Sequence, residues 1–183
     1  MRYLKSELIT RLFVLLAFAM LAPAALAQEE SRTPDLPTPL CDSIRVDAGN
    51  EVAFHTYAVG VQVYRWNGSA WVLTGPVANL YADEGYRGQV GTHYAGPTWE
   101  SNSGSKVVAA RVLNTGCAPD ANAIPWLLLK KVTTDGAGIF DGVTFIQRVN
   151  TVGGLAPSEP GEFVGDEARV PYTAEYFFYR AKH

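Results

Sequence analysis

Gly60-Val61-Gln62-Val63-Tyr64-Arg65-Trp66-Asn67-Gly68-Ser69-Ala70-Trp71-Val72-Leu73-Thr74 is the stretch whose reading decides the fold class. Two runs rich in Val, Tyr and Trp flank Asn67-Gly68, a pair that reverses a strand because both residues tolerate positive φ. A two-residue loop there sets Trp66 opposite Ser69, Tyr64 opposite Trp71 and Val63 opposite Val72. One face then collects Gln62, Tyr64, Trp66, Trp71 and Leu73, and the other collects Val61, Val63, Ala70 and Val72. A Tyr64–Trp71 cross-strand pair is expected to hold the register.

The same grammar extends in both directions. Glu51 to Val59 precedes the hairpin, and Val77 to Tyr81 leads into the turn at Asp83-Glu84-Gly85. Thr98 to Ser101 and Lys106 to Leu113 flank Asn102-Ser103-Gly104, a second hairpin signal. Trp126 to Thr134 is apolar enough for a short helix, but Asp135-Gly136 closes it in the manner of a strand turn. Val143 to Thr151 alternates, with Val143, Phe145, Gln147 and Val149 on one face. Val170 to Arg180 is aromatic on both faces, as suits a strand covered on both sides. Pro171 then belongs near its start or at an edge. No long 3.6-residue period interrupts this pattern. The expected fold is all-β: a single-domain antiparallel β-sandwich, or a partly closed barrel, of about ten short strands, with the sandwich preferred.

The N-terminus carries the marks of a secretory signal over residues 1–27. Arg2, Lys5 and Arg11 give a basic start, Leu12 to Leu21 an apolar stretch, and Ala25-Leu26-Ala27 a small-residue cleavage site. Residues 28–40, with Pro34, Pro37 and Pro39, are expected to form a Pro-rich linker. Residues 41–183 form the expected domain. Removing 27 residues from 183 leaves 156, enough for one domain with a sizeable core. The mature chain then carries 12 basic and 17 acidic residues. That balance, with no Lys/Arg run, argues against a nucleic-acid binder. No membrane span is expected once the signal is removed. The chain is expected to be secreted or periplasmic. Cys41 and Cys117 are its two cysteines, and in an oxidising compartment they most simply form one disulfide. The alternative, a nucleophilic thiol, needs a base or cation nearby, and neither cysteine has one close in sequence.

Several motifs together carry a family resemblance. They are Gly60-Val61-Gln62-Val63-Tyr64, His93-Tyr94-Ala95-Gly96-Pro97-Thr98-Trp99-Glu100 with Gly104-Ser105, and Ile124-Pro125-Trp126-Leu127-Leu128-Leu129. Further along come Arg148-Val149-Asn150-Thr151-Val152-Gly153-Gly154-Leu155-Ala156-Pro157 and Val170-Pro171-Tyr172-Thr173-Ala174-Glu175-Tyr176-Phe177-Phe178-Tyr179. In this order they resemble the domain of unknown function 3455 family of secreted bacterial and fungal proteins. The resemblance spans the mature domain. It implies an extracytoplasmic domain with no established activity or cofactor, so no catalytic role carries over. Many relatives place a Cys two residues after the Tyr matching Tyr64, and another after Gly-Gly-x-Ala-Pro. Here the first position is Trp66, and no Cys follows Pro157. A different disulfide, Cys41–Cys117, is then expected to stabilise this member.

Gly91 to Glu100 gathers an imidazole, a phenol, an indole and a carboxylate around a Gly-Pro turn. It is expected to be a turn-centred surface feature. The candidate binding residues are His93, Tyr94, Trp99 and Glu100, with Asp83 and Arg148 behind them and Arg148 expected to pair with Glu100 or Asp83. Tyr64, Trp66, Trp71, Tyr94 and Trp99 have the makings of a platform for a flat ligand, or of core filling. His55, His93 and Glu100 have a metal-triad composition, but no spacing supports it, so neither metal nor cofactor is expected. Ser101, Ser103 and Ser105 lack a nucleophile elbow, and Asp83, Glu84 and Glu100 are turn acids of the commonest kind. The leading expectation is a non-catalytic module binding a small molecule, glycan or envelope component. The second is an extracytoplasmic hydrolase using His93 with a nearby carboxylate.

Overall fold

A computed structural model of the chain describes residues 33–182. The expected signal segment and residues 28–32 lie outside them. Eight strands follow in order: β1 Asn50–Trp66, β2 Trp71–Tyr81, β3 Gln89–Tyr94, β4 Thr98–Ser101, β5 Lys106–Arg111, β6 Leu127–Asp135, β7 Val143–Gly153 and β8 Glu167–Ala181. Each pairs antiparallel with the next, and β8 returns to β1. The result is a closed up-and-down barrel. The all-β expectation holds, and of its two architectures the chain adopts the barrel. Closure is complete because β1 and β8, 17 and 15 residues long, are paired along most of their length. Two pairs of runs that read as separate strands are in fact continuous, Glu51 to Val59 with Gly60 to Trp66, and Ser69 to Thr74 with Val77 to Tyr81.

Gly60 allows that continuity. A β-carbon there would lie 2.2 Å from the Val77 carbonyl oxygen, so only glycine lets β1 and β2 approach so closely. Pro171 sits near the start of β8, beside the end of β7 at Gly153, where a missing N–H costs little.

The hairpin register differs from the two-residue expectation. Trp66 faces Trp71 and Tyr64 faces Leu73. The loop is four residues because Asn67 Oδ1 accepts the backbone N–H of Ser69 at 2.9 Å and of Ala70 at 2.8 Å. This side-chain turn competes with the tight type I′ reversal and prevails. The expected Tyr64–Trp71 pair is replaced by Trp66–Trp71, ring centroids 5.5 Å apart.

Closing the sheet gives every strand one face toward the interior and one toward the outside. Inside lies a core of Ala58, Leu80, Trp99, Val107, Phe140, Ile146, Tyr176 and Phe178 among others. Phe54, Phe140 and Phe178 stack together toward the Asn50 end of the barrel. A second core lies on the outer face of β6, β7, β8 and β1. There Leu128, Phe145, Val149, Phe177 and Tyr179 are covered by Leu36, Cys41 and Ile44 from the N-terminal segment. Leu36 thus belongs to a core, which corrects the reading of the whole 28–40 stretch as linker. The expected disulfide is present: Cys41 and Cys117 are joined, and both are buried. It ties this segment to the loop between β5 and β6. Among the described residues no helix is long and apolar enough to cross a membrane.

Candidate functional site

The Gly91–Glu100 segment is not a surface turn feature. It is the β3–β4 hairpin, and pleating splits its side chains between two faces. His93 pairs with Trp99, and both point into the barrel, 3% and 1% exposed. Their rings stack at 4.1 Å and 10°. Tyr94 and Glu100, one residue further along each strand, face outward, where Tyr94 donates to Glu100 Oε2 at 2.7 Å. Lys106 Nζ lies 3.5 Å from the other carboxylate oxygen. Asp83 stands in the exposed β2–β3 turn against Arg87. The structure therefore brings His93 and Trp99 together and separates them from Tyr94, Glu100 and Asp83.

Arg148 joins the interior group. Its register partners on β6 and β8, Leu127 and Tyr176, both face the interior core. The expected pairing with Glu100 or Asp83 does not form. Its guanidinium donates twice to the Pro125 carbonyl, at 3.2 and 2.7 Å, because the β5–β6 loop passes over this end of the strand. Among the described residues no carboxylate pairs with it. The side chain is half-buried although its strand position faces inward. Its positive charge acts on His93, Tyr64, Tyr172 and Tyr176.

The protonation states follow from burial. Burial drives the His93 pKa down to about 3, against the hydrogen bond that its Nδ1 makes to the Thr98 carbonyl at 2.8 Å. A carbonyl only accepts, so Nδ1 carries the proton and Nε2 is left as an acceptor. Burial likewise pushes the Tyr172 and Tyr176 phenols upward, with the neighbouring Tyr176 adding to the effect on Tyr172. Near neutral pH the imidazole and both phenols are uncharged.

The interior polar groups are also unsatisfied. Thr56 Oγ1, Gln62 Nε2 and Trp99 Nε1 are buried without a hydrogen bond to the protein, and the hydroxyls of Tyr172 and Tyr176, which meet each other and Arg148, find no well-directed one. Each such group costs about 1–3 kcal/mol unless something outside the chain completes it. Tyr64, by contrast, is satisfied by the Gly154 carbonyl at 2.6 Å. Gly154 has φ +80°, and a β-carbon there would lie 2.9 Å from Tyr172 Cβ, so this glycine closes the β7–β8 loop over the group.

A family model described as "Protein of unknown function (DUF3455)" matches residues 47–180, from just before β1 to nearly the end of β8. The chain belongs to the DUF3455 family. No curated protein and no solved structure matches it. The matched span takes in all eight strands but for the last residue of β8, and includes Thr56, Gln62, His93, Trp99, Arg148, Tyr172 and Tyr176. In this DUF3455 domain Trp66 packs against Gly161. A β-carbon on that glycine would lie 2.6 Å from the indole.

His55 stands apart on the outer face of β1, 2.9 Å from Glu175 Oε2 and stacked on Phe177 at 4.0 Å. Burial disfavours the Glu175 charge, but hydrogen bonds from His55 and Asn150 outweigh it and lower the pKa. Among the described residues no cluster of three His, Cys, Asp or Glu is placed to hold a metal ion. Sequence reasoning missed Thr56, Gln62, Tyr172 and Tyr176. Their alternate spacing, 60-62-64 and 172-174-176-178, was the available signal.

Proposed function

We propose that this domain is a non-catalytic, extracytoplasmic binding module that holds a small molecule in the barrel interior, reached from the end at which Trp66 lies. The observation that carries this reading is Arg148: a half-buried guanidinium that meets the Pro125 carbonyl and the Tyr176 hydroxyl but, among the described residues, no carboxylate, set beside buried donors that the protein leaves unpaired. Eight-stranded barrels are wide enough to be filled by side chains or to hold one small ligand, and unpaired polar atoms favour the second use. A small glycan or another envelope component is the kind of molecule an extracytoplasmic location would supply.

A thermal-shift screen of small glycans and metabolites tests it. Compounds that stabilise the wild type should lose their effect in Arg148→Ala and keep it in Tyr94→Ala, a change on the outer face. Loss in Tyr94→Ala alone would move binding to the outer surface and overturn the reading. No observation favours the hydrolase. His93 and Glu100 lie on opposite faces of the barrel wall, and an imidazole with a pKa near 3 is a weak base.

A further inference from the structure

The chemistry of the unpaired groups narrows the ligand. Trp99 Nε1 and Gln62 Nε2 can only donate, and Thr56, Tyr172 and Tyr176 carry hydroxyl protons. Beside them stands Arg148, a planar cation with several N–H groups, of which two contacts go to the Pro125 carbonyl. The interior-facing positions along β1, β3, β4 and β7 beside this group contribute no Asp or Glu. The unpaired atoms of this site are donors, with His93 Nε2 and the hydroxyl oxygens able to accept beside them, and none of them carries negative charge. Its walls, Trp99 and Tyr176 with rings 5.4 Å apart and His93 stacked on the indole, are flat and apolar on their faces.

We infer that the ligand is a small organic carboxylate, its oxygens accepting from Arg148 and the tyrosine hydroxyls and its body lying against the aromatic walls. A single guanidinium balances one negative charge, so a monoanion fits better than a phosphate dianion. The inference rests on the reading of the interior as a binding site, and it adds the charge and shape of the occupant.

The test follows the Trp99 indole N–H resonance, assigned with Trp99→Phe, in titrations with benzoate, with its neutral counterpart benzamide, and with inorganic phosphate. Benzoate should move the resonance saturably, with benzamide and phosphate at least tenfold weaker. Arg148→Gln should weaken benzoate at least tenfold, while Tyr94→Phe, on the outer face, should leave it unchanged. Arg148→Lys, which keeps the charge, guards against a folding defect and should retain part of the affinity. Equal binding of benzoate and benzamide, or tighter binding of phosphate, would overturn the carboxylate while leaving an interior site. No saturable movement with any of the three would overturn the interior site as well.

Discussion

Gln147 and Arg148 are adjacent in sequence but enter opposite sides of one wall, and the two polar clusters they join are built differently. Gln147 points outward, under the N-terminal segment. Its amide donates to the Ile44 carbonyl at 2.6 Å and its carbonyl accepts from the Tyr179 hydroxyl. Every buried polar group in that contact has a partner within the chain. Arg148 points inward beside Tyr176, where hydroxyl, indole and amide donors are buried without one. Polar groups buried for architecture close their hydrogen bonds, because an open one costs stability. The inward cluster leaves several of them open, and on the reading proposed above this contrast marks a binding site.

The largest effect should come from the outer region. Cys41→Ser with Cys117→Ser releases a loop of 76 residues and should cost on the order of 4 kcal/mol in urea unfolding. The Trp99 indole resonance should stay in place, since the bridge touches only the outer core. If it moved as well, the two regions would not be independent.

Acid should separate them next. The folded pKa of His93, about 3, lies below that of an unfolded histidine, about 6.5. The unfolded chain therefore takes up the proton first. Stability is whole above pH 6.5 and falls by about 1.4 kcal/mol per unit as the pH drops toward 3. Glu175, with its lowered pKa, loses its contribution in the same direction, below the ordinary carboxylate range. The difference between wild type and His93→Gln isolates the histidine, and the variant's pH profile should be the flatter over that window. Equal slopes would mean that His93 is solvated and protonated in the folded protein.

A smaller effect tests the satisfied cluster. Gln147→Leu leaves the Tyr179 hydroxyl and the Ile44 carbonyl without their partner and should cost about 1–3 kcal/mol by chemical denaturation. A neutral result would remove the contrast between the two clusters.

Much of the barrel was legible in the sequence. The alternation from Gly60 to Trp66, the turn residues and the paired cysteines marked an all-β domain with one disulfide, and the motif set marked the family. Closure was not legible, because it depends on β1 meeting β8 across the whole chain, and no local pattern states that. Without closure, inside and outside cannot be told apart, so Tyr172, Tyr176 and Phe178 resembled any strand covered on both sides. The site was half legible for the same reason. His93, Trp99 and Arg148 were singled out, but as a surface group with Tyr94, Glu100 and Asp83. Pleating sends neighbours in sequence to opposite faces, and the true companions come from β1 and β8, far away in the chain.

The smallest expected stability change is the most direct test. Tyr172→Phe with Tyr176→Phe removes two hydroxyls that have no well-directed partner in the chain and keeps both rings. Replacing a buried, unpaired polar group by an apolar one of the same shape is neutral or stabilising. The unliganded double variant should unfold at a urea midpoint equal to or above that of the wild type, while the stabilisation conferred by added benzoate falls at least tenfold in apparent affinity. A double variant destabilised by 2 kcal/mol or more, with benzoate binding intact, would show that these hydroxyls serve the fold and would contradict the interior site.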